Sequence, residues 1–142
     1  MSLSSFVKSI EVNVPVQIAY HQWTQFEEFP RFMEGVKEVH QLGDCHLHWK
    51  AEIRGQDVEW DAEITEQVPN QRIAWTSLGG AIRDEIVTIY PLSVNTSKVL
   101  LHVAYYDAAE MDTVSFRVQR DLERLKSFLE MRERQTASSS LG

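Results

Sequence analysis

The sequence predicts an α+β fold in which one antiparallel sheet carries one long helix. Two observations predict it. Between Val36 and Tyr106, apolar and polar residues alternate with period two, in short runs separated by turn residues. After Tyr106 the period becomes helical and no Gly or Pro interrupts it until past Thr136. A lone helix with one apolar face, following a sheet with one apolar face, should lie across that sheet. A chain of 142 residues suits one domain. We place that domain at 1–135 and read Thr136–Gly142, small and polar, as a disordered tail.

Phe6–Val14 reads as the first strand, with Val7 and Ser9 on one face and Ile10, Val12 and Val14 on the other. Pro15 ends it and suits the opening of a helix, in which Val16, Ala19, Tyr20 and Trp23 recur at helical spacing. Pro30 then starts a fresh turn, Arg31–Glu34, closed by Gly35. Six strands follow: Val36–Leu42, His46–Ile53, Val58–Ile64, Arg72–Ser77, Glu85–Tyr90 and Lys98–Tyr106. Pro69-Asn70, Leu78-Gly79-Gly80 and Pro91–Ser97 supply turn chemistry between them.

The hairpin at Arg54–Asp57 can be registered from sequence. A Gly55-Gln56 loop sets Ile53 opposite Val58, Trp49 opposite Ala62 and Ala51 opposite Trp60. Large then meets small, while His48, Lys50, Asp61 and Glu63 share the outer face. For the long helix, Asp107-Ala-Ala-Glu110 has capping-box spacing. Met111, Val114, Val118, Leu122, Leu125, Phe128 and Leu129 fall on an apolar arc of about 120°. About 25 residues give it a length of roughly 38 Å.

Composition excludes several classes of function. With 14 Lys+Arg against 21 Asp+Glu, the net charge of −7 leaves no surplus of base for a phosphate backbone, so nucleic acid is not an expected partner. No apolar run is long enough for an integral membrane segment. Met1–Lys8 lacks the apolar stretch of a secretory signal, which makes a cytoplasmic protein the expectation. Cys45 is the single cysteine, so neither an intramolecular disulfide nor a multi-thiolate metal site can form. The P-loop, G-x-G-x-x-G and G-x-S-x-G signatures are missing, as is any marked nucleophilic triad. No cofactor, metal or catalytic residue is assigned, and no protein partner is named.

A few side chains could carry chemistry. Trp49, Trp60 and Trp75 belong to inner strand faces, where they either fill the core or wall a cavity with indole N–H groups as its polar points. Asp121 lies inside the apolar arc, flanked by Arg117 and Arg124. It is either an edge carboxylate held by those arginines or a buried one aimed at a ligand, its pKa raised by burial. His46-Leu-His48 could hold zinc only with a third ligand, and the register puts it on the outer face. His102 is a further candidate for pointing inward. Glu52, Glu59, Asp61, Glu63 and Glu66 form an acidic, solvated stripe.

The element order is that of the helix-grip fold, with a curved seven-stranded antiparallel sheet. Ile10-Glu-Val-Asn-Val-Pro-Val16, Ala19-Tyr-His-Gln-Trp-Thr24, Phe26–Met33 with Gly35-Val36, Glu59–Glu66, Arg72-Ile-Ala-Trp75 and Asp121–Lys126 carry a resemblance. They resemble the START-like (SRPBCC) superfamily, in its bacterial polyketide cyclase/dehydrase and coenzyme-Q-binding-protein-like branch. The resemblance covers nearly the whole chain. At Asp107–Asp112 this sequence is shorter than the Gly-containing stretch that helps close the cavity mouth in such proteins. The resemblance implies a void between sheet and helix that takes a small hydrophobic or aromatic ligand. Trp49, Trp60, Trp75, Val118 and Asp121 would line it, with Phe29, Phe32 and Met33 near its mouth. Binding or transport without chemistry is the leading expectation. A cyclase/dehydrase using Asp121 or His102, and an interaction or stress protein with a vestigial cavity, are the rivals.

Overall fold

The computed structural model describes residues 4–53, 55–79, 82–106 and 111–141. The elements are β1 (Ser4–Val12), α1 (Val16–Thr24), a 3-10 helix (Phe26–Arg31), β2 (Val36–Gln41), β3 (His46–Ile53), β4 (Gln56–Val68), β5 (Arg72–Ser77), β6 (Ile82–Ser93), β7 (Thr96–Tyr105) and α2 (Met111–Leu141). All seven strands join one sheet in the order β1-β7-β6-β5-β4-β3-β2, and every pairing is antiparallel. This is the expected α+β helix-grip architecture. The meander from β2 to β7 is local, whereas β1 joins it only by pairing with β7, as in Ser9 opposite Leu100.

Pro15 caps α1 in extended backbone at φ −68°, and its carbonyl accepts from the N–H groups of Ile18 and Ala19 at 3.1 and 3.2 Å. Pro30 sits inside the 3-10 helix. Gly35 has a φ of +85°, which an L side chain rarely adopts. Its carbonyl accepts the Glu52 N–H at 2.7 Å, tying the end of the 3-10 segment to β3.

Strands β4 and β6 outrun the alternating segments that predict them. Each continues through a bulge, between Ile64 and Glu66 in β4, and between Ile82 and Asp84 and again between Pro91 and Ser93 in β6. A bulge adds a residue to one strand, breaks strict alternation and bends the sheet. Pro91 sits at one of them, where its missing N–H costs no ladder bond.

The β3–β4 hairpin corrects the sequence register by two residues. Ile53 pairs with Gln56, so Trp49 lies opposite Trp60 and Ala51 opposite Val58. A two-residue slip leaves each side chain on its expected face but changes its neighbour. The true register stacks the two indoles, with centroids 5.7 Å apart and planes 9° from parallel. It also improves the outer face, where His48 meets Asp61 and Lys50 meets Glu59. Gly55 takes a φ of +77°, the conformation that such a tight turn requires.

The apolar arc of α2 is buried as its spacing predicts. Leu122, Leu125 and Leu129 are fully enclosed, Val118 is buried, and Val114 and Phe128 pack partly against the core. The capping box Asp107–Glu110 lies outside the described residues. The helix bounds take in 136–141, which the sequence reading assigns to a tail; Ala137 favours a helix and Ser138–Ser140 do not break one. Lys126 lies off the apolar arc yet is not idle: its ammonium donates to the Glu11 carbonyl at 3.1 Å and to Glu130 at 2.6 Å.

Leu122→Ala should therefore lower unfolding stability by about 2–5 kcal/mol, while Glu123→Ala, on the exposed side, should change it by less than about 0.5 kcal/mol. Urea titrations of both variants check this, and equal midpoints would show that the buried face of α2 is misassigned.

Candidate functional site

The aromatic residues singled out from sequence are brought together, but as a packed cluster. Phe29 lies 5.7 Å from Trp49 and 5.9 Å from Trp75, and Trp49 lies 6.0 Å from Trp75, centroid to centroid. Phe32 contacts Phe29 at 5.6 Å and Phe128 of α2 at 6.1 Å. Trp23, which sequence reasoning leaves in the core, joins the same cluster beside Phe29, Phe32 and Trp75. Phe29, Phe32, Met33, Trp49 and Trp75 are buried. Trp60 is half-buried at its edge. The 3-10 helix thus lays its rings on the β3–β5 part of the sheet and fills it. The buried indole N–H groups of Trp23 and Trp49 have no hydrogen-bond partner among the described residues.

Two carboxyl groups lie near enough for the charge of one to act on the other. Asp121 is only 15% exposed. Its Oδ1 accepts the Glu34 backbone N–H at 3.0 Å and the Arg124 guanidinium at 3.1 Å. Burial nevertheless pushes its pKa up to about 6, against the opposing pull of Glu34 N–H, Arg124 and Arg117. Both alternatives for this residue are partly realised: Arg124 holds the carboxylate, and burial dominates its protonation.

The second carboxyl, Glu85, is one that sequence reasoning missed. It pairs with Trp75 on β5 and Val103 on β7, whose side chains belong to the core, so it stands on the inner face of a central strand. Burial, with a contribution from the Asp121 charge, pushes its pKa up to about 7. The bulge at Arg83 puts it there. Ile82 is paired with Tyr105, and uninterrupted alternation from Ile82 would turn Asp84 inward and Glu85 out. The extra residue instead sets Asp84 opposite Ala104 and Glu85 opposite Val103. The Thr76 hydroxyl fastens this point, bonding to Asp84 and to the Arg83 carbonyl. A signal did exist in sequence: Glu85 has the same parity as Val87 and Ile89, both buried.

Beside Asp121 the structure opens into a groove of about 500 Å3, bounded by Glu34 and Gly35, by Glu52 of β3, and by Arg117 and Arg120 of α2. Gly35 keeps the backbone close to α2, since a Cβ there would lie 3.8 Å from the Arg117 guanidinium and 3.1 Å from the Glu52 carbonyl oxygen.

The histidines lie elsewhere. His48 is held between Asp61 and Glu59, each at 2.8 Å, and those carboxylates raise its pKa. His46 reaches the same Asp61 at 3.3 Å. Among the described residues no group of three or more His, Cys, Asp or Glu is arranged to hold a metal. His102 pairs with Val7 and Ile86, which places it on the outer face and removes it from the interior. The acidic stripe is interleaved with cations, as in Lys37 with Glu52 at 3.6 Å and Arg72 with Glu66 at 3.3 Å. No described helix is long and apolar enough to cross a membrane.

This geometry can be compared with known proteins. A family model described as polyketide cyclase / dehydrase and lipid transport matches residues 12–134. The chain belongs to this family. A Streptomyces lincolnensis relative, an uncharacterised 17.2 kDa protein from the melC2-rnhH intergenic region, is 42% identical, over 94% of this chain and 95% of its own. The Zhui aromatase/cyclase of Streptomyces sp. R1128 superposes with a TM-score of 0.80 at 11% identity, covering 92% of this chain and 96% of that one. A START superfamily protein from Mycobacterium smegmatis gives 0.77 at 15% identity, covering 89% and 97%. DR_A0006 from Deinococcus radiodurans gives 0.73 at 26% identity, covering 90% and 98%. Family membership therefore brings a ligand-binding fold, and the START-like likeness read from sequence is confirmed.

The two inward carboxyls make stability pH-dependent in a testable direction. Both bind protons more tightly in the folded chain than at their ordinary values of 4.5 and 3.8, so stability falls as pH rises from there towards about 7 and 6. Glu28, Glu34, Glu38, Asp61 and Glu130 are shifted down, so their contribution is already complete above their ordinary values. His48 adds to the loss above 6.5. Glu85→Gln should flatten the fall in urea midpoint between about pH 5 and pH 8 relative to the parent protein. An unchanged slope would place Glu85 in solvent.

Proposed function

We propose that the protein binds a small, largely apolar or aromatic molecule bearing a polar group, in the space between the sheet and α2. Glu85 and Asp121, convergent and held protonatable near neutral pH, are the observation that carries this reading. A carboxyl in an apolar interior is costly unless it has something to bond, and a protonated one donates to a carbonyl or hydroxyl oxygen. Val118 and the half-buried Trp60 would supply apolar contact at the rim. The unpartnered N–H of Trp49 is a further polar point, and Phe29, Phe32, Met33 and Trp75 form the rigid packing behind it. The family's description, which includes lipid transport, supports the same reading.

The same pair favours a second reading. Two carboxyls titrating near about 6 and about 7 can serve near neutrality as a base (Asp121) and an acid (Glu85). That is the minimum equipment for a cyclase or dehydrase acting on a polyketide-like substrate. The likeness to the Zhui aromatase/cyclase makes it worth testing.

Titrating quinones, flavonoids and fatty acids while following tryptophan fluorescence separates these readings. We expect saturable quenching or a spectral shift with at least one class, weakened by about tenfold in Glu85→Gln, the loss of one hydrogen bond to a charged or strongly polar group. Turnover of a polyketide-like substrate that disappears in Asp121→Asn would establish the enzyme instead. Silence from every class would show that the aromatic cluster is solid core and the cavity vestigial.

A further inference from the structure

We infer that the groove beside Asp121 is a carboxylate subsite, with Arg117 as its principal contact, so that the ligand is an amphipathic acid whose apolar part lies against Phe116. This rests on the ligand-binding reading above and specifies the class of ligand.

The charge arrangement of the groove carries the inference. Six of the fourteen cationic residues of this acidic chain lie on α2, and Arg117, Arg120 and Arg124 follow one another about one helical turn apart. Two carboxylates also border the groove, and each is already matched. Glu34 is held by Arg124 at 3.0 Å and Arg120 at 3.7 Å. Glu52 is held by Lys37 at 3.6 Å. Arg117 makes no ion pair within 4.0 Å with any described residue, although it lines the same groove. Its charge acts on Asp121 and Glu34 from beyond ion-pair distance, so its fork stays open, and that fork matches the two oxygens of a single carboxylate.

Shape supports the same assignment. Gly35 leaves the guanidinium uncovered on the side that a larger residue would occupy, since its Cβ position lies 3.8 Å from Arg117 Nη1. Phe116, 65% exposed, lies at the groove with the Arg120 guanidinium 5.8 Å from its ring centroid. An exposed ring beside a guanidinium that makes no ion pair is what an amphipathic acid would cover, apolar body on the ring and carboxylate on the arginine. Arg117 also stands four residues before Asp121, about one turn along α2, and its charge acts on that carboxyl.

Decanoic acid and 1-decanol, equal in chain length and different in head group, test it by titration calorimetry. We expect the acid to bind the parent protein about tenfold more tightly than the alcohol, with the preference falling as salt is raised. Arg117→Gln should abolish the preference while leaving the affinity for the alcohol unchanged, and Arg117→Lys should retain part of it. Unchanged urea midpoints establish that both variants are folded. If the alcohol binds as well as the acid, or if the preference survives Arg117→Gln, the carboxylate assignment is wrong while the ligand-binding reading stands. If neither molecule binds, and quinones and flavonoids fail as well, the ligand-binding reading falls and takes this inference with it.

Discussion

A sheet with one apolar face has to cover it, and here the cover is narrower than the face. Seven strands at about 4.8 Å spacing span about 29 Å, whereas one helix with its side chains is about 10–12 Å across. The α2 helix cannot seal the sheet alone. Bulges curl the strands towards it, and the segment from Val16 to Arg31 covers what is left with large rings. Trp23, Phe26 and Phe29 make a block against Trp49 and Trp75 that needs no second layer of helix. In the interval between sheet and helix, Glu85 stands on the inner face of β6, and Asp121 of α2 bonds to Glu34 at the edge of the groove. Site and core are therefore two outcomes of one covering problem.

Placing two acids in that interval works against stability. Asp121 is partly compensated by a backbone N–H and by Arg124. Glu85 is shifted by burial and by the neighbouring negative charge, with nothing pulling the other way. A plain packing role at either position would be better filled by a leucine. The two environments also separate the groups, since Asp121 has donors and Glu85 has none acting on its ionised form. That asymmetry gives them different protonation at one pH.

Faces were far more legible in the sequence than partners were. Alternation in His46–Ile53 and Val58–Ile64 puts Leu47, Trp49, Ala51, Ala62 and Ile64 on the inward face, where they are buried, because a side chain's face depends only on parity. The neighbour across the strand depends on which two residues make the turn, and Arg54-Gly55 and Gly55-Gln56 are both plausible turn pairs. The expectation that Trp49 opposes Ala62 and Ala51 opposes Trp60 failed for that reason: Trp49 meets Trp60. Asp121 could be read because a helical wheel carries phase over the whole of α2. Glu85 could not be read with equal ease, because a bulge resets the phase of β6 three residues earlier and Ile86 offers an apolar residue of the opposite parity. That Arg117 makes no ion pair at the groove depends on Glu34 and Glu52 meeting in space from separate elements, and spacing along the chain holds no trace of that.

The pairing of β1 with β7 has a consequence for how the molecule comes into being. Ser9 and Leu100 are partners separated by 91 positions (100 − 9), and the apolar stripe of α2 that covers their sheet is later still. At a synthesis rate of about 5–20 residues per second, the first strand waits roughly 5–18 s with its edge unpaired before its partner exists. Through that interval Phe6, Ile10 and Val12 have no sheet to join. Nascent chains of this family member thus present a sticky leading strand to the cell before any binding site can assemble, and the long-range closure that completes the sheet is also the slow, entropically expensive step of folding.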